Sequence, residues 1–497
     1  MPEANVPAVE GVMYEAQSTL TTEGRSDLLP LAVDLDGTLL ATDVLHEGLV
    51  CALLRHPATL PRLLPALAEG RAAFKRRVTE IVPPLAEALP LRLSFLEWLQ
   101  GQHAAGRSLH LVTAADQRVA DVVAAHLGIF DSATGSDGRR NLRSGEKAAF
   151  LRRRFPDGFA YAGDSSVDLE VFAAAQAVVL VNASPRVATA VSRLGKEVLA
   201  EFPRQRPRLA DWLAALRIHQ WSKNLLLFVP LILAHRLDDA GAILRCVAGL
   251  LALGLTASGT YLLNDLADLT ADRMHATKRR RALAAGRIPV LLGLGTAAGL
   301  ILAGLAGAAA LGPTIAAGIA AYVAISLAYS SRLKAVPLLD TLVIAGLFTL
   351  RLALGVELAE VPYSPWLMSF AGFFFLSLAL SKRHCELMEA RHSGTTLARR
   401  GYQVDDWPLT LGFGAAAAMA SLQIMILFVA DEAWPSRMYH TAAWLYVTPA
   451  ALSVWLARIW FLAHRRLLRD DPVVFALRDP WSWAIGAIIA AAILAAL

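Results

Sequence analysis

The chain has 497 residues, of which 56% are hydrophobic, and a formal net charge of +5. This length allows two or three domains, and the three cysteines (Cys51, Cys246 and Cys385) are too far apart to predict a metal site or a disulfide framework. In so apolar a chain the modest positive charge argues against nucleic-acid binding and is better examined loop by loop.

Residues 1–28 contain acidic residues and no long apolar core, so we predict a disordered leader and not a signal peptide. Four short apolar runs then predict buried parallel strands that alternate with helices. The runs are 29–33, 109–112, 159–162 and 177–181, and residues 44–104 between the first two are helical in pattern. Residues 29–200 are therefore expected to form an α/β doubly wound domain, in which functional residues follow the carboxyl ends of strands.

Polar residues stand at these predicted strand ends. Asp34 and Asp36 follow the first strand, and two aspartates at this spacing suit phosphoryl transfer, with Asp34 as nucleophile and Asp36 as acid and base. Thr113 follows the second strand and would hold a phosphoryl oxygen, while Lys147 would neutralise charge. Asp164 follows the third strand and would complete a Mg²⁺ site with Asp34 and Asp36, with Asp168 as a further candidate.

In order along the chain, these four motifs resemble the haloacid dehalogenase (HAD) superfamily of phosphatases. They are DxDGT at 34–38, the strand-terminal Thr113, Lys147 and GDSSxD at 163–168. The resemblance implies a HAD-like fold with a helical cap at about 44–104, and a Mg²⁺-dependent phosphatase. A non-catalytic HAD domain is the alternative.

Residues 201–224 are basic and amphipathic and include Trp212, which predicts a linker on the membrane surface. From residue 225 onward, apolar stretches recur that are long enough to span a bilayer. They predict an all-α membrane domain over 225–497 with about nine transmembrane helices. The predicted spans are 225–236, 242–263, 290–311, 313–330, 336–356, 364–381, 408–430, 441–463 and 480–497.

Positive charge is distributed unevenly among the loops between these spans. Loops 264–289, 331–335, 382–407 and 464–479 carry 6, 2, 5 and 4 lysines and arginines, whereas the opposite loops carry only Arg236 and Arg437. Positively charged loops stay on the cytoplasmic side. We therefore expect a multi-pass protein of the inner (plasma) membrane, with the N-terminal domain and all charged motifs on the cytoplasmic face.

Three carboxylates lie next to one of these spans. Asp265, Asp268 and Asp272 would share one face of a continuous helix, and acids at such a position are usually functional. They suit Mg²⁺ bound to a phosphate or diphosphate, and the cations Lys278 and Arg281 follow. A solvated charged loop is the alternative.

Four segments of this half resemble the UbiA-type superfamily of intramembrane prenyltransferases, and look most like its branch that makes decaprenylphosphoryl-5-phosphoribose. They lie at 217–224, 264–286, 329–351 and 381–389. Ile218, Ala276 and Ala282 replace prolines of the family pattern. Ile344 stands where aromatic prenyltransferases usually carry a second acid after Asp340.

The resemblance implies transfer of 5-phosphoribosyl from phosphoribosyl diphosphate to a polyprenyl (decaprenyl) phosphate, with Mg²⁺. Asp265 and Asp268 would be catalytic and, with Asp272, would hold the metal. The implied substrate-binding residues are Lys223, Asn224, Asn264, Asp272, Lys278, Arg281, Tyr329, Lys334, Asp340, Arg351, Lys382, Arg383 and Glu386. The HAD-like domain would then remove the 5-phosphate from the product. Fusion of the two domains would raise the concentration of this intermediate at the second site.

Two other functions stay open at this stage. One is prenyl transfer to an aromatic or lipid acceptor with an attached phosphatase. The other is a membrane carrier or flippase with a regulatory HAD domain, although carriers usually place polar groups near the midplane of a repeated fold. The sequence leaves oligomeric state open.

Overall fold

The computed structural model describes residues 28–394, 401–435, 439–468 and 472–497, so nearly all of the predicted leader lies outside the described residues. The chain divides into two compact units. The first comprises Met1–Leu39, Arg92–Ser136 and Asn141–Arg204, and the second comprises Leu40–Leu91, Asp137–Arg140 and Gln205–Leu497.

The described elements are six strands and twenty α-helices, with shorter 3-10 and π turns between them. The strands are β1 (Leu31–Val33), β2 (Leu109–Asp116), β3 (Ser132–Ser136), β4 (Ala160–Gly163), β5 (Ala177–Val181) and β6 (Glu197–Phe202). The helices before residue 217 are α1 (Val44–Arg55), α2 (Leu63–Ala68), α3 (Arg71–Ile81), α4 (Leu93–Ala104), α5 (Gln117–Leu127), α6 (Gly145–Arg154), α7 (Leu169–Ala174), α8 (Pro185–Ser192) and α9 (Leu209–Leu216). The later helices are α10 (Val229–Leu233), α11 (Ala240–Ala267), α12 (Leu269–Met274), α13 (Val290–Leu311), α14 (Pro313–Ser331), α15 (Leu339–Ala359), α16 (Pro365–Ser393), α17 (Trp407–Phe428), α18 (Val447–His464), α19 (Pro472–Arg478) and α20 (Pro480–Ala496).

The first unit is built on one parallel sheet with the strand order β3-β2-β1-β4-β5-β6. The order reverses between β1 and β4, and sheets of this kind bind ligands outside the carboxyl ends of the strands at such a switch point. The α/β doubly wound expectation is confirmed. β1 and β5 are buried throughout because their residues are apolar on both faces of the sheet.

Seven of the described helices in the second unit are long and apolar enough to cross a membrane, where about nine spans were expected. They are Ala240–Ala267, Val290–Leu311, Pro313–Ser331, Leu339–Ala359, Pro365–Ser393, Val404–Ala433 and Ala442–His464. The predicted span 225–236 instead folds as a 3-10 helix, Ile218–Phe228, followed by the five-residue α10. At the C-terminus, α20 is an apolar helix of 17 residues, at the lower end of the length range of transmembrane helices.

The expected helical cap, 44–104, is divided between the two units. α4 belongs to the first unit, whereas α1, α2 and α3 belong to the second. Val50 and Leu54 of α1 pack in one apolar cluster with leucines of α11. Burial of this apolar face supplies the driving force for the association. The linker helix α9 joins the same cluster through Trp212.

Candidate functional sites

Three aspartates converge at the switch point of the sheet in the first unit. Asp34 follows β1, and Asp164 and Asp168 follow β4, the strand that pairs with β1. One carboxylate oxygen from each of the three lies within 4.8 Å of the others. Asp34 and Asp168 are buried, and Asp164 is half-buried. This geometry fits a divalent cation, because Mg²⁺ binds through carboxylate oxygens.

A buried lysine balances part of this charge. Lys147 of α6 lies 2.9 Å from Asp34 Oδ1 and 3.5 Å from Asp168 Oδ1. Its ammonium group also donates to the Tyr161 hydroxyl at 3.0 Å, and that hydroxyl donates to Asp168 Oδ1 at 2.8 Å. The lysine therefore faces the carboxylates with a fixed orientation.

The loop after β1 holds the other predicted residues of this site. Gly37 has φ of 77°, and a side chain there would collide with Asp164, so the turn requires glycine. The Thr38 hydroxyl donates to Asp164 Oδ1 at 3.4 Å. Asp36 was expected as a metal ligand, but the carboxylates whose oxygens converge are those of Asp34, Asp164 and Asp168. Asp36 stays a predicted acid and base.

Thr113 lies inside β2, is fully buried and accepts a hydrogen bond from the Ala115 backbone N–H at 3.0 Å. Sequence reasoning missed Tyr161, because a tyrosine within a buried strand looks like part of the apolar pattern. It also missed Arg92, whose Nε donates to the Gly37 carbonyl at 3.1 Å.

Burial and the neighbouring carboxylates change the protonation of this cluster. Burial raises the pKa of Asp34 to about 6, although Lys147 opposes the change. Burial, together with repulsion from Asp34 and Asp168, raises the pKa of Asp164 to about 8. Burial alone would lower the pKa of Lys147, but the Asp34 and Asp168 carboxylates outweigh it, so this pKa is raised and the lysine stays charged.

We expect Mg²⁺ affinity at this site to rise with pH. Both carboxyl groups have folded-state pKa values, about 6 and about 8, above the ordinary aspartate value of 3.8. Without metal they therefore hold protons that an unfolded chain would release, and the stability they contribute is lost as pH rises from about 4 to about 8. Mg²⁺ must displace these protons. The stabilisation that Mg²⁺ gives in thermal denaturation should therefore be larger at pH 8 than at pH 6, and an equal effect at both pH values would contradict the assignment.

The second site lies at the end of α11 in the second unit. Asp265 is buried and accepts hydrogen bonds through Oδ1 from Arg217 at 2.5 Å and from Arg281 at 3.0 Å. The same Arg281 nitrogen donates to Asp272 Oδ2 at 2.7 Å. One guanidinium thus connects two of the three predicted aspartates.

Asp268 departs from the expected continuous helix. α11 ends at Ala267 and α12 begins at Leu269, so Asp268 stands at a break between them. Its carboxylate pairs with Arg55 at 2.8 Å and with Lys334 at 3.7 Å. The continuous helix expected through the three acids is therefore interrupted at Asp268, because periodicity does not show where a helix breaks.

The two sets of aspartates therefore differ. Within the part of the chain that the structure describes, Asp34, Asp164 and Asp168 form the group whose oxygens converge closely enough to hold one ion, and the three membrane aspartates do not. The membrane acids instead alternate with cations, namely Arg55, Arg217, Arg281 and Lys334. Such an arrangement suits a ligand that carries both a divalent cation and anionic phosphates.

A third group of predicted residues is buried in a network. The Arg383 guanidinium lies 2.7 Å from Asp340 Oδ2 and also pairs with Glu386. The Tyr402 hydroxyl donates to Asp340 Oδ1 at 2.7 Å and accepts from the Leu338 N–H. Asp340 is fully buried. These contacts support a positioning role for Asp340 and Arg383 more than direct substrate contact.

Asn224 and Arg351 form a further buried pair, in which Arg351 Nε donates to Asn224 Oδ1 at 3.0 Å. Among the described residues, Asn224 Nδ2 is one of three buried side-chain nitrogens or oxygens that lack a hydrogen-bond partner. A buried unpaired donor is costly, so a ligand oxygen would suit this position. Lys223 lies over the Phe348 ring at 5.6 Å.

The remaining predicted residues lie near the ends of the spans. Asn264 is half-buried in α11, Tyr329 is half-buried near the end of α14, and Lys382 is half-buried in α16. Lys278 is exposed. Sequence reasoning quoted Arg217 within a motif but gave it no role, and it missed Arg55 because that residue stands far from the motif in the chain.

The membrane half is similar to proteins of one known family. Residues 225–478 match the sequence pattern of the UbiA prenyltransferase family. An uncharacterised protein of Sinorhizobium fredii, y4nM, is 48% identical and the match covers 100% of this chain and 99% of that protein. The decaprenyl-phosphate phosphoribosyltransferase of Mycobacterium tuberculosis is 32% identical over 38% of this chain and 65% of that enzyme.

A solved structure is also similar. It is a UbiA homologue from Archaeoglobus fulgidus bound to GPP and Mg²⁺, with a TM-score of 0.45 and 17% identity, over 57% of this chain and 99% of that one. The family match covers half of the chain and coincides with the apolar helices. The chain is therefore an integral membrane protein that belongs to the UbiA prenyltransferase family, a class of enzymes that transfer prenyl or related groups.

Proposed function

We propose that the membrane half transfers 5-phosphoribosyl from phosphoribosyl diphosphate to a polyprenyl phosphate such as decaprenyl phosphate. The observation that carries this proposal is the alternation of three aspartates with four cations at the end of α11. A phosphoribosyl diphosphate donor carries a diphosphate and a 5-phosphate, so it needs many cations as well as metal ligands. The likeness to decaprenyl-phosphate phosphoribosyltransferases over the same half adds support.

In the proposed reaction, an oxygen of the lipid phosphate attacks the anomeric carbon of the ribose. The bond from that carbon to the diphosphate breaks, and diphosphate leaves with the electron pair. Asp265, Asp268 and Asp272 would contact Mg²⁺ that the diphosphate of the donor brings with it, and this cation would neutralise charge on the leaving group. Arg281 and Arg217 orient Asp265, and Lys334 stands beside Asp268 to stabilise charge on the diphosphate.

We further propose that the first unit is a HAD-like phosphatase that removes the 5-phosphate of the ribosyl lipid. Asp34 would attack the phosphorus, and Asp36 would protonate the leaving ribose oxygen and then activate water for hydrolysis of the aspartyl phosphate. Lys147, held 2.9 Å from Asp34, keeps that carboxylate oriented and balances charge on the phosphoryl group. Asp164 would complete the Mg²⁺ site together with Asp34.

The chemistry of the two reactions supports their presence in one chain. The product of the transferase carries the 5-phosphate that a phosphatase removes, and a shared chain raises the concentration of the intermediate at the second site. Both active sites are proposed to face the cytoplasm from the inner membrane, since loops 264–289 and 382–407 carry 11 of the 17 lysines and arginines of the four loops expected on that side.

Prenyl transfer to an aromatic or lipid acceptor is the second candidate, favoured by the description of the family itself. Two observations count against it here. Asp340 is buried and paired with Arg383, and Ile344 provides no second acid one turn further along α15. The described part of this region therefore lacks a second pair of acids that could bind Mg²⁺ and a diphosphate.

The test uses the full-length protein purified in detergent, with Mg²⁺, decaprenyl phosphate and phosphoribosyl diphosphate labelled with ¹⁴C in the ribose and ³²P in the 5-phosphate. We expect ¹⁴C to enter the lipid fraction and ³²P to be released as inorganic phosphate. Retention of both labels in the lipid would remove the phosphatase assignment. Labelling of 4-hydroxybenzoate from a prenyl diphosphate, with no ¹⁴C in the lipid, would replace the proposal with the second candidate.

A further inference from the structure

The segment Leu40–Leu91 belongs to the membrane unit, although it lies between two strands of the sheet in the chain. Arg273 secures it: its guanidinium forms a bidentate pair with Glu47 and donates to the Ala88 carbonyl at 3.1 Å. Arg273 also donates to the Ala284 carbonyl at 2.8 Å. The Arg273 side chain is only 7% exposed, so the segment is docked through a buried, directional contact.

Close packing surrounds this contact. Val50, which is 2% exposed, lies in the apolar cluster with residues of α11 and α13. Gly286 has φ of 70°, and a side chain there would meet Ala41 at 2.8 Å, so the backbones of the two segments approach closely. The docking of Leu40–Leu91 therefore has several supports that do not involve Arg55.

Arg55 is the last residue of α1, and the docked helix brings it to Asp268. The guanidinium lies 2.8 Å from Asp268 Oδ1, while Lys334 Nζ lies 3.7 Å from the other oxygen. The Arg55 and Asp268 side chains are 29% and 31% exposed. A partly exposed ion pair contributes little to stability, so stability does not explain why a cation stands beside this acid.

We propose that Arg55 is a positioning residue of the diphosphate-binding site of the transferase, contributed by the segment Leu40–Leu91. It holds the Asp268 carboxylate and adds positive charge where the diphosphate of the donor binds. Guanidinium groups suit this task because they donate several hydrogen bonds in a fixed plane to carboxylate and phosphate oxygens. The inference rests on the proposed transferase site, but only on the diphosphate group, which both candidate donors share.

The test measures binding of inorganic diphosphate with Mg²⁺ to the full-length protein in detergent by calorimetry. We expect Arg55→Ala to weaken binding about tenfold, the effect of one charge-assisted hydrogen bond, and Arg55→Lys to recover part of the loss. Arg77→Ala is the matched control, because Arg77 lies in the same segment and forms an exposed ion pair with Glu80 at 2.9 Å. It should bind diphosphate as the unchanged protein does.

Glu47→Gln separates the charge of Arg55 from docking of the segment. It weakens the pair with Arg273 but keeps Arg55, so we expect it to lose less diphosphate affinity than Arg55→Ala does. In turnover, Arg55→Ala should raise the KM for the donor more than it lowers kcat. Unchanged diphosphate affinity in Arg55→Ala, or an equal loss in Glu47→Gln, would overturn the proposal.

The outcome is also separable from that of the proposed function. If diphosphate binding depends on Arg55 but phosphoribosyl diphosphate gives no labelled lipid, the role of Arg55 stands and the identity of the donor falls. If the unchanged protein does not bind diphosphate with Mg²⁺, both fall together. Monodisperse elution of each variant from a sizing column shows that a loss of affinity does not come from misfolding.

Discussion

Asp34→Asn is expected to lower phosphatase turnover about 10⁴-fold, the usual scale for loss of a catalytic nucleophile, and to leave phosphoribosyl transfer intact. An amide oxygen cannot form the aspartyl phosphate, but asparagine has nearly the same shape. The neighbours of Asp34 should therefore keep their places, because Lys147 also donates to Tyr161 and faces Asp168. The measurement is the doubly labelled lipid assay, in which this variant should accumulate lipid that retains both ¹⁴C and ³²P.

Asp121→Asn is the matched control for this experiment. Asp121 lies in the same unit on the exposed side of α5 and accepts a hydrogen bond from Gln117 at 2.7 Å. It should release ³²P at the rate of the unchanged protein. If Asp34→Asn released ³²P as fast as Asp121→Asn, the carboxylate cluster would not be the phosphatase site, and another residue would have to supply the nucleophile.

Four of the six strands in the sheet of the first unit could be predicted from the apolar pattern of the sequence. β1, β2, β4 and β5 were predictable because each contains a run of buried apolar residues. β3 and β6 were not, because β3 is mostly half-buried, β6 contains only exposed and half-buried residues, and both lie at edges of the sheet. Edge strands carry a weaker apolar signal because one side lacks a neighbouring strand.

The first site was largely predictable, because the carboxyl ends of adjacent parallel strands must meet at one edge. This rule predicts that Asp34 and Asp164 lie close together. It could not decide between Asp36 and Asp168 as the third acid, since that choice depends on how the chain turns after each strand. The structure favours Asp168, which lies on the 3-10 turn Ser166–Asp168.

The membrane site was less predictable from the sequence than the site in the first unit. The acids Asp265, Asp268 and Asp272 were identified from spacing, but their partners were not. Asp268 pairs with Arg55, which is 213 residues away in the chain, and no local pattern reports such a contact. Residues 225–236 were predicted as one span, whereas the structure divides them between a 3-10 helix and the short α10, because apolar composition alone does not show which kind of helix forms.

Asp265→Asn should reduce phosphoribosyl transfer about 10³-fold and leave phosphatase activity toward a soluble aryl phosphate unchanged. Asp265 is 6% exposed and accepts hydrogen bonds from two guanidinium groups through one oxygen. Asparagine keeps a hydrogen-bonding oxygen but removes the negative charge. In the proposed role, Mg²⁺ would lose a carboxylate ligand, and Arg217 and Arg281 would lose their common counter-charge, so both metal binding and the orientation of Arg281 would be affected.

Asp238→Asn serves as the control, because Asp238 is an exposed acid just before α11 and stands at the other end of that helix. It should transfer phosphoribosyl at the unchanged rate. If Asp265→Asn kept more than a tenth of the transferase activity at low Mg²⁺, Asp265 would act only as a structural partner of the two arginines. A Mg²⁺ titration of both variants separates the two explanations. Loss of a metal ligand raises the Mg²⁺ concentration needed for half-maximal transfer. Loss of an ion pair alone lowers thermal stability and leaves that Mg²⁺ concentration unchanged.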